Sequence, residues 1–441
     1  MKKIIVRDQT LIPPFNEPAR DLRVMNKPLW LYQRDVLSPY CQEEIECSSL
    51  RGVSFFPPEI LSGELIVYRD NLFFDQFLFE AFITAARQSG NAAQIAFSKY
   101  DTAITGHALS LQEGIRLEGD IYVADLYYYP DGTAVATENP QPIVIDTQPK
   151  EMGYYRVPTY MANEHGELGF HVPLRAFLSI ENWVHIFVAN CPFGIFSHGA
   201  RVENSLDKFS MMLTVLWRSL LERKQFLSSS PLVEVGKNTH IDPAAIIQGP
   251  TVIGDNVTIG PGCVINASVI GNNVNIMQGV QLMLSVVGDG SYMAFRSALF
   301  MTTLMENSMV AQNSCLQLSV IGRDTFIGAG NTFTDYNIMG NALKAFHKGE
   351  LHEVGLPVLG GCVGHNCRIG SGHVVYPARM IDSDVVLTAK QEQTVITKNV
   401  KYEHSDHHRY PNAGHVTKYH DDELLEDTDS SSIQELMKSA P

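Results

Sequence analysis

Three groups of side chains have types and spacing suited to chemistry. The first is Asp70-Asn71, which follows the apolar run Leu65-Ile66-Val67. That run reads as a strand, and ligands of parallel sheets bind beyond the carboxyl ends of strands. A strand-end carboxylate can hold Mg2+ bridging the phosphates of a nucleotide. The competing reading is a turn in which Asp70 or Asp75 caps the helix that follows. The second group is histidine in and around an irregular segment late in the chain: His347, His352, His365 and His373. A neutral imidazole can take a proton from a substrate amine or hydroxyl. His347 and His352 fall inside the irregular segment, whereas His365 and His373 read as structural. The third group is His404, His407, His408, His415 and His420, five imidazoles within 17 positions. Their spacing matches no structural zinc motif, so a solvated tail competes with a metal site.

The element that must position most of these groups is a repeat. Val235, Ile241, Ile247, Ile253, Ile259 and Ile265 recur every sixth residue. A period of six is neither the 2 of a strand nor the 3.6 of a helix. It marks a small unit stacked many times. Small residues follow each aliphatic by four places, and Cys263, Cys315 and Cys367 are read as filling such slots. Turn formers such as Gly254-Asp255-Asn256 occupy the rest. The phase slips between Ile265 and Ile270, continues more weakly through Val287, Met293, Leu299 and Met305, and returns at Ile321 and Ile327. It breaks over 335–359 and resumes at Val363 and Ile369. The expected fold is a prism of short parallel strands over 233–390, with a loop at 335–359 projecting from it. Loops on rigid scaffolds are favoured places for function.

Residues 1–200 mix strand and helix patterns. Gln76 to Gln88 reads as a helix between two strands, a unit that implies a parallel sheet. Tyr127 to Gly132 reads as a hairpin turn. Residues 204–227 read as one helix, capped by Asn204 or Ser205, within a linker spanning 204–230. Leu206, Phe209, Leu213, Leu216 and Leu220 form its apolar stripe, expected to pack as a connector and to touch a neighbouring subunit. Arg175, Glu181, Trp183 and His185 read as core with a satisfied histidine. Residues 400–441 read as a polar, acidic tail.

Composition narrows the partners. The net charge is −15 with 33 Lys and Arg and no basic run, which argues against nucleic acid. Seven scattered cysteines without CxxC spacing fit a reducing, cytoplasmic setting. No run of about 18 apolar residues suggests a membrane span.

The hexapeptide pattern resembles that of the left-handed β-helix transferases. A strand-and-helix region, a linker helix and such a coil together resemble the sugar-1-phosphate nucleotidyltransferases that carry an acetyltransferase or oligomerising coil. Asn26-Lys27-Pro28-Leu29 is similar to their Lys-Pro-Leu element, and Tyr68-Arg69-Asp70-Asn71 to their metal-binding strand end. The resemblance implies an α/β, Rossmann-like, mixed-sheet N-terminal domain, with Lys27 and Asp70 on a nucleotide and Mg2+ at Asp70. The place of the family's glycine-rich phosphate loop holds Asp8 to Phe15, with no glycine. In the coil, Ile327-Gly328-Ala329-Gly330-Asn331 through Asp335-Tyr336 resembles the acetyltransferase half of the bifunctional uridylyl/acetyltransferases. That implies acetyl-CoA along an intersubunit groove, with Gly328 and Gly330 beside it. Asn331, Asp335, Tyr336, His347 and His352 would then carry the chemistry. Asp335 stands where the family has Asn. Gln317 stands where the catalytic His is expected, and an amide does not titrate near neutrality.

Two functions follow. One is a homotrimeric transferase of sugar-nucleotide metabolism, moving an acyl or nucleotidyl group onto a phosphorylated sugar or nucleotide sugar. The other is a trimeric binding or scaffold protein derived from such an enzyme.

Overall fold

The computed structural model describes residues 1–156, 167–339, 341–390 and 394–409. The hexapeptides form three parallel sheets of eight strands each, the three faces of a prism. The first face runs from Val233–Val235 to Met380–Ile381, the second from His240–Ile241 to Val386–Leu387, and the third from Ile246–Gln248 to Val395–Ile396. Ile241 pairs with Ile259 and Ile259 with Ile276, so one coil takes 17 or 18 residues. The inward aliphatics Ile253, Ile270, Val287, Leu304, Ile321, Val363 and Ile381 stack in one core. This is a left-handed parallel β-helix.

The phase slip has a local cause. From Ile265 onward, the corner between third and first faces is one residue shorter than at Ile247–Ile253. Ala267, Leu284, Met301 and Leu318 turn that corner with φ of 44, 53, 46 and 46°. A left-handed backbone costs an L-residue roughly 1–2 kcal/mol. A hydroxyl ladder offsets it. Ser285 N donates to Ser268 Oγ at 3.3 Å, Thr302 N to Ser285 Oγ at 3.1 Å, and Ser319 N to Thr302 Oγ1 at 3.3 Å.

The N-terminal sheet has the order Gln141–Val144, Ala93–Ser98, Ile121–Tyr129, Leu65–Arg69, Lys2–Val6, Glu43–Cys47. It is mixed: Leu65–Arg69 is parallel to Lys2–Val6, while Ile121–Tyr129 runs antiparallel to both of its neighbours. The strand-helix-strand unit exists, but this antiparallel strand separates its two strands. The helix is Gln76–Ser89. Asp75 Oδ1 caps it by accepting Leu78 N at 2.8 Å, and Gly90 ends it at φ 68°. The cap is therefore Asp75, and Asp70 is left for another role. Tyr127 to Gly132 is not a hairpin. Asp131 caps the short helix Gly132–Ala136, and the chain continues to the parallel strand Gln141–Val144.

This body packs on the first face of the prism. Val320, Cys362 and Met380 from that face join the N-terminal core, as do Leu343, Ala345, Val354, Leu356 and Val358 from the insertion. Polar contacts pin the same seam. Arg23 grips Glu306 at 2.6 and 2.9 Å, Glu17 pairs with Arg323 at 2.9 Å, and Ser383 Oγ donates to Pro14 O at 2.7 Å.

Four sequence expectations change. The linker is two helices, Ser197–Leu206 and Phe209–Glu222, and neither is capped by Asn204 or Ser205. The stripe on the second helix is exposed rather than packed. The insertion does not project. It folds into the hairpin Lys344–His347/Glu350–Glu353, and its flanks bury against the N-terminal body. Residues 400–409 are not tail: Ser405 and Asp406 are buried and hydrogen-bonded to the last coil through Val386 N and Thr388 N. His415, His420 and the acidic run lie outside the described residues. Among the described residues, no helix is long and apolar enough to cross a membrane.

Candidate functional site

Asp70 ends its strand and is buried. Its Oδ1 accepts Asp8 N at 2.7 Å, and its Oδ2 lies 3.3 Å from both Arg7 Nε and Arg20 Nη1. Both arginines continue to Glu46. Burial raises the Asp70 carboxyl above its ordinary range, while the Asp8 N–H and the two guanidiniums pull the other way. Both of its oxygens thus face donors or cations, a set that does not suit Mg2+. Among the described residues, no three His, Cys, Asp or Glu converge to hold a metal. Lys27 is paired with Asp35 at 2.6 Å, and no hydrogen bond or ion pair joins it to Asp70 among the described residues. The sequence pattern showed the strand-end carboxylate but not Arg7 and Arg20, which reach it from 63 and 50 residues away.

The coil candidates divide. Asn331 sits inside the prism with no exposure, in the slot that Ser297 and Ser314 fill on earlier coils. Its Nδ2 donates to Gly328 O and Gly370 O at 2.8 and 2.9 Å, and its Oδ1 accepts His373 N at 2.6 Å. It is a coil-joining residue. Gly328 and Gly330 turn the adjacent corner. A Cβ on Gly328 would meet Gly370 C at 2.7 Å, and Gly330 has φ of 68°. His373 occupies the next slot on the Asn331 ladder, and burial lowers the His365 imidazole to about 3 against Phe15. Both are structural. Cys315 is not in an inward slot: Leu316 points inward, and Cys315 lies half-buried on the outer side of the third face beside Gln317.

Asp335 and Tyr336 leave the end of the third-face strand Thr332–Phe333, where the insertion begins. Asp335 is half-buried, and burial raises its carboxyl above the ordinary range. Its main-chain oxygen accepts Leu359 N at 2.9 Å, which closes the base of the insertion. Leu359 O in turn accepts Ala378 N, and the next residue, Arg379, donates Nη2 to Lys344 O at 2.9 Å. The main chains of Asp335 and of the Ala378–Arg379 corner are thus joined through Leu359. Tyr336 packs half-buried against the N-terminal core. Arg379 had no motif to mark it; its position one residue after a coil corner is the signal available.

His347 and His352 lie on the hairpin with ring centroids 6.0 Å apart. Asn182 Nδ2 donates to Phe346 O at 3.0 Å and lies 3.4 Å from His347 Nδ1. Lys348 pairs with Glu113 at 2.5 Å. The hairpin tip is thus fastened to the N-terminal body. Among the described residues, no hydrogen bond or ion pair joins either histidine to the Asp335 carboxyl. His185 is the satisfied core histidine expected: Nδ1 accepts Glu181 N and Asn182 N, and Nε2 meets Ser110 O at 2.8 Å.

The coil is thus a hexapeptide-repeat β-helix by geometry, and its sequence agrees. Residues 233–267 match the family model described as Bacterial transferase hexapeptide (six repeats). Among solved structures, the chain is similar to a UDP-N-acetylglucosamine acyltransferase from Campylobacter jejuni. The identity is 14% and the TM-score 0.23, over 32% of this chain and 62% of that one. The match spans less than two thirds of that neighbour's length, and the likeness is too slight to carry chemistry across. No curated protein matches the chain.

Proposed function

We propose that the chain is an acyltransferase acting at the corner where the third face meets the insertion. Asp335 takes the proton of the acceptor as the acceptor attacks an acyl thioester. The reading is supported by the transferase family that matches the first coils and by the half-buried Asp335 carboxyl at the base of a built insertion. A carboxyl raised by burial is a better base than an ordinary one at neutral pH. Acetyl-CoA, or a longer acyl-CoA, is the donor and supplies the activated acyl group. A phosphorylated sugar or nucleotide sugar is the acceptor, with Arg379 pairing with its phosphate and Tyr336 orienting its ring. Nucleotidyl transfer is not part of the proposal, because Arg7 and Arg20 already hold Asp70.

The test is release of free CoA from acetyl-CoA and long-chain acyl-CoA, measured chromatographically across a panel of sugar phosphates and UDP-sugars. Asp335→Asn is expected to lower kcat at least a hundredfold, and Tyr336→Phe to lower it less. If no acceptor stimulates CoA release, the scaffold reading replaces this one. That second reading has its own support in Gln317, which cannot serve as a base.

A further inference from the structure

The strand Gln141–Val144 is an edge of the N-terminal sheet, with no strand beyond it among the described residues. It pairs on one side only, parallel to Ala93–Ser98. In a parallel ladder alternate residues bond to the neighbouring strand. Gln141 N and Ile145 N donate to Ala92 O and Ala96 O, both at 2.8 Å, so the N–H and carbonyl of Val144 turn to the open edge. Pro142 has no N–H to offer there, a device by which edge strands limit unwanted pairing. Pairing is thereby confined to the Val144 end.

Beside that end lies an open trough of about 570 Å3 between the strand and the helix Gln76–Ser89. Its helix wall is Phe77, Ala81 and Ala85, four residues apart on one flank. Ala81 and Ala85 end at a methyl group, which keeps the floor apolar and roomy. Phe77 is 51% exposed, and Val144 on the opposite wall is 50% exposed. The aromatic ring is nevertheless held: the Arg201 guanidinium lies 4.8 Å from its centre and is tied to Asp75 at 2.9 Å. A strand added at the edge would set every second side chain against this wall.

The polar lining says which strand fits. Glu80 and Asp146 line the trough against Arg175 alone, and none of the three enters an ion pair among the described residues. Arg175, expected in the core, is half-buried at the rim, where its Nη1 donates to Asp146 O at 3.1 Å. Its remaining donors suit a peptide carbonyl. The lining thus carries one net negative charge. A second copy of this edge would bring Glu80 and Asp146 against their own kind, whereas a basic strand is complementary to them.

We propose that the trough binds an extended peptide of a partner protein, added as a strand beside Val144. An apolar side chain of the peptide lies over Ala81 and Ala85, and a lysine or arginine two residues away meets Glu80 or Asp146. Main-chain bonds supply the affinity of such a contact, and alternate side chains supply its selection. The site uses none of Asp335, Tyr336 and Arg379, so it stands whether or not the acyl-transfer reading does.

The test is fluorescence polarisation of a labelled, end-blocked octapeptide of alternating valine and lysine against the full chain. Saturable binding is expected. Val144→Pro removes the edge N–H at a position where an edge strand tolerates proline, and should weaken binding about tenfold. N-methylation of the probe's peptide nitrogens should weaken it at least as much. Ala85→Trp fills the trough and should abolish it. A peptide of alternating valine and glutamate is expected to bind more weakly than the lysine peptide, and Glu80→Gln with Asp146→Asn to shrink that preference. Amide hydrogen exchange at Val144 should slow when the probe is bound. Circular dichroism checks that each variant is folded; if Ala85→Trp is not, Val144→Pro and the methylated probe decide. A wild type that shows no saturation at millimolar probe overturns the proposal. So does binding that Val144→Pro leaves unchanged, or a glutamate peptide bound as tightly. A wild-type dimer that Val144→Pro dissociates would assign the edge to a second copy and overturn it equally.

Discussion

Asn331 separates a catalytic from a structural account of the coil, and the structure assigns it a measurable effect. Asn331→Ala removes three hydrogen bonds at a site with no exposure. The three partners do not suffer equally. Gly328 O still accepts Ser314 Oγ at 2.7 Å, and Gly370 O still meets His373 Nδ1 at 3.0 Å. Each loses a second bond, worth about 0.5–1 kcal/mol. Among the described residues His373 N has no other partner, so it becomes a buried unpaired donor, which costs about 1–3 kcal/mol. The sum is about 2–5 kcal/mol. Asn331→Ser should cost about 1 kcal/mol or less. Ser314, one coil earlier, shows that a hydroxyl there can donate to the corner carbonyl and accept the next N–H. The assay is urea unfolding followed by circular dichroism, with CoA release measured on the same samples below the transition. The expected result is a stability order of wild type, Ser, Ala with turnover little changed. An Ala variant as stable as wild type, or a Ser variant as damaged as Ala, would refute the ladder argument. A hundredfold loss of turnover in a fully folded Ser variant would return Asn331 to the chemistry.

Three further outcomes follow from named contacts. Burial holds His365 at about 3 and His107 and His185 at about 4, all below the ordinary 6.5. The unfolded chain therefore takes up these protons first, so stability is full above pH 6.5 and falls as pH drops toward 4, by about 1.4 kcal/mol per pH unit for each histidine. Burial raises the Asp75 and Asp335 carboxyls, which acts in the opposite sense, so the slope is read from the difference between wild type and His365→Asn. His365→Asn keeps an acceptor for Arg323 N and is expected to flatten the fall; an unchanged slope would remove His365 from the account. Gly328→Ala is expected to cost about 1–3 kcal/mol, because its Cβ would meet main chain at 2.7 Å. Gly330→Ala, in open space but at φ 68°, should cost about 1 kcal/mol, and denaturant midpoints rank the two. UTP, dTTP and GTP with Mg2+ are expected to give no thermal shift in wild type, and a saturable shift with any of them would show that the arginines yield Asp70.

The prism was legible because its signal is local and repeated. An inward aliphatic every six residues needs no distant information, and even the slip at Ile265 carried the real one-residue shortening of a corner. The mixed N-terminal sheet was legible only in part. The helix over Gln76–Ser89 announced itself through Asp75 and Gly90, but the antiparallel strand Ile121–Tyr129 inserts between strands far from it in sequence. The linker helix was read as packed because a stripe shows which side is apolar and not what lies against it. The candidate site was least legible. Asn331 and Gly328 occupy a motif that reads equally as chemistry or as corner geometry, and only burial distinguishes them. His347 and His352 were expected in a projecting loop, yet that segment folds into a hairpin that sets His347 Nδ1 3.4 Å from Asn182 Nδ2.

The two halves of the chain argue for one another's roles. A nucleotide site needs an open crevice at the strand ends and a carboxylate free for a cation. Here the crevice holds Arg7 and Arg20, and the loop that follows the first strand turns back to the prism through Pro14 and Glu17. Residues of that loop fasten the body to the coil. Asn182, from the same body, fastens the insertion hairpin. The N-terminal body thus holds the coil and fastens the insertion that begins at Asp335. Asn182→Ala tests that link: freeing the hairpin should raise KM for the acceptor more than it lowers kcat, with Asp335 untouched. A loss confined to kcat would place Asn182 in the reaction itself.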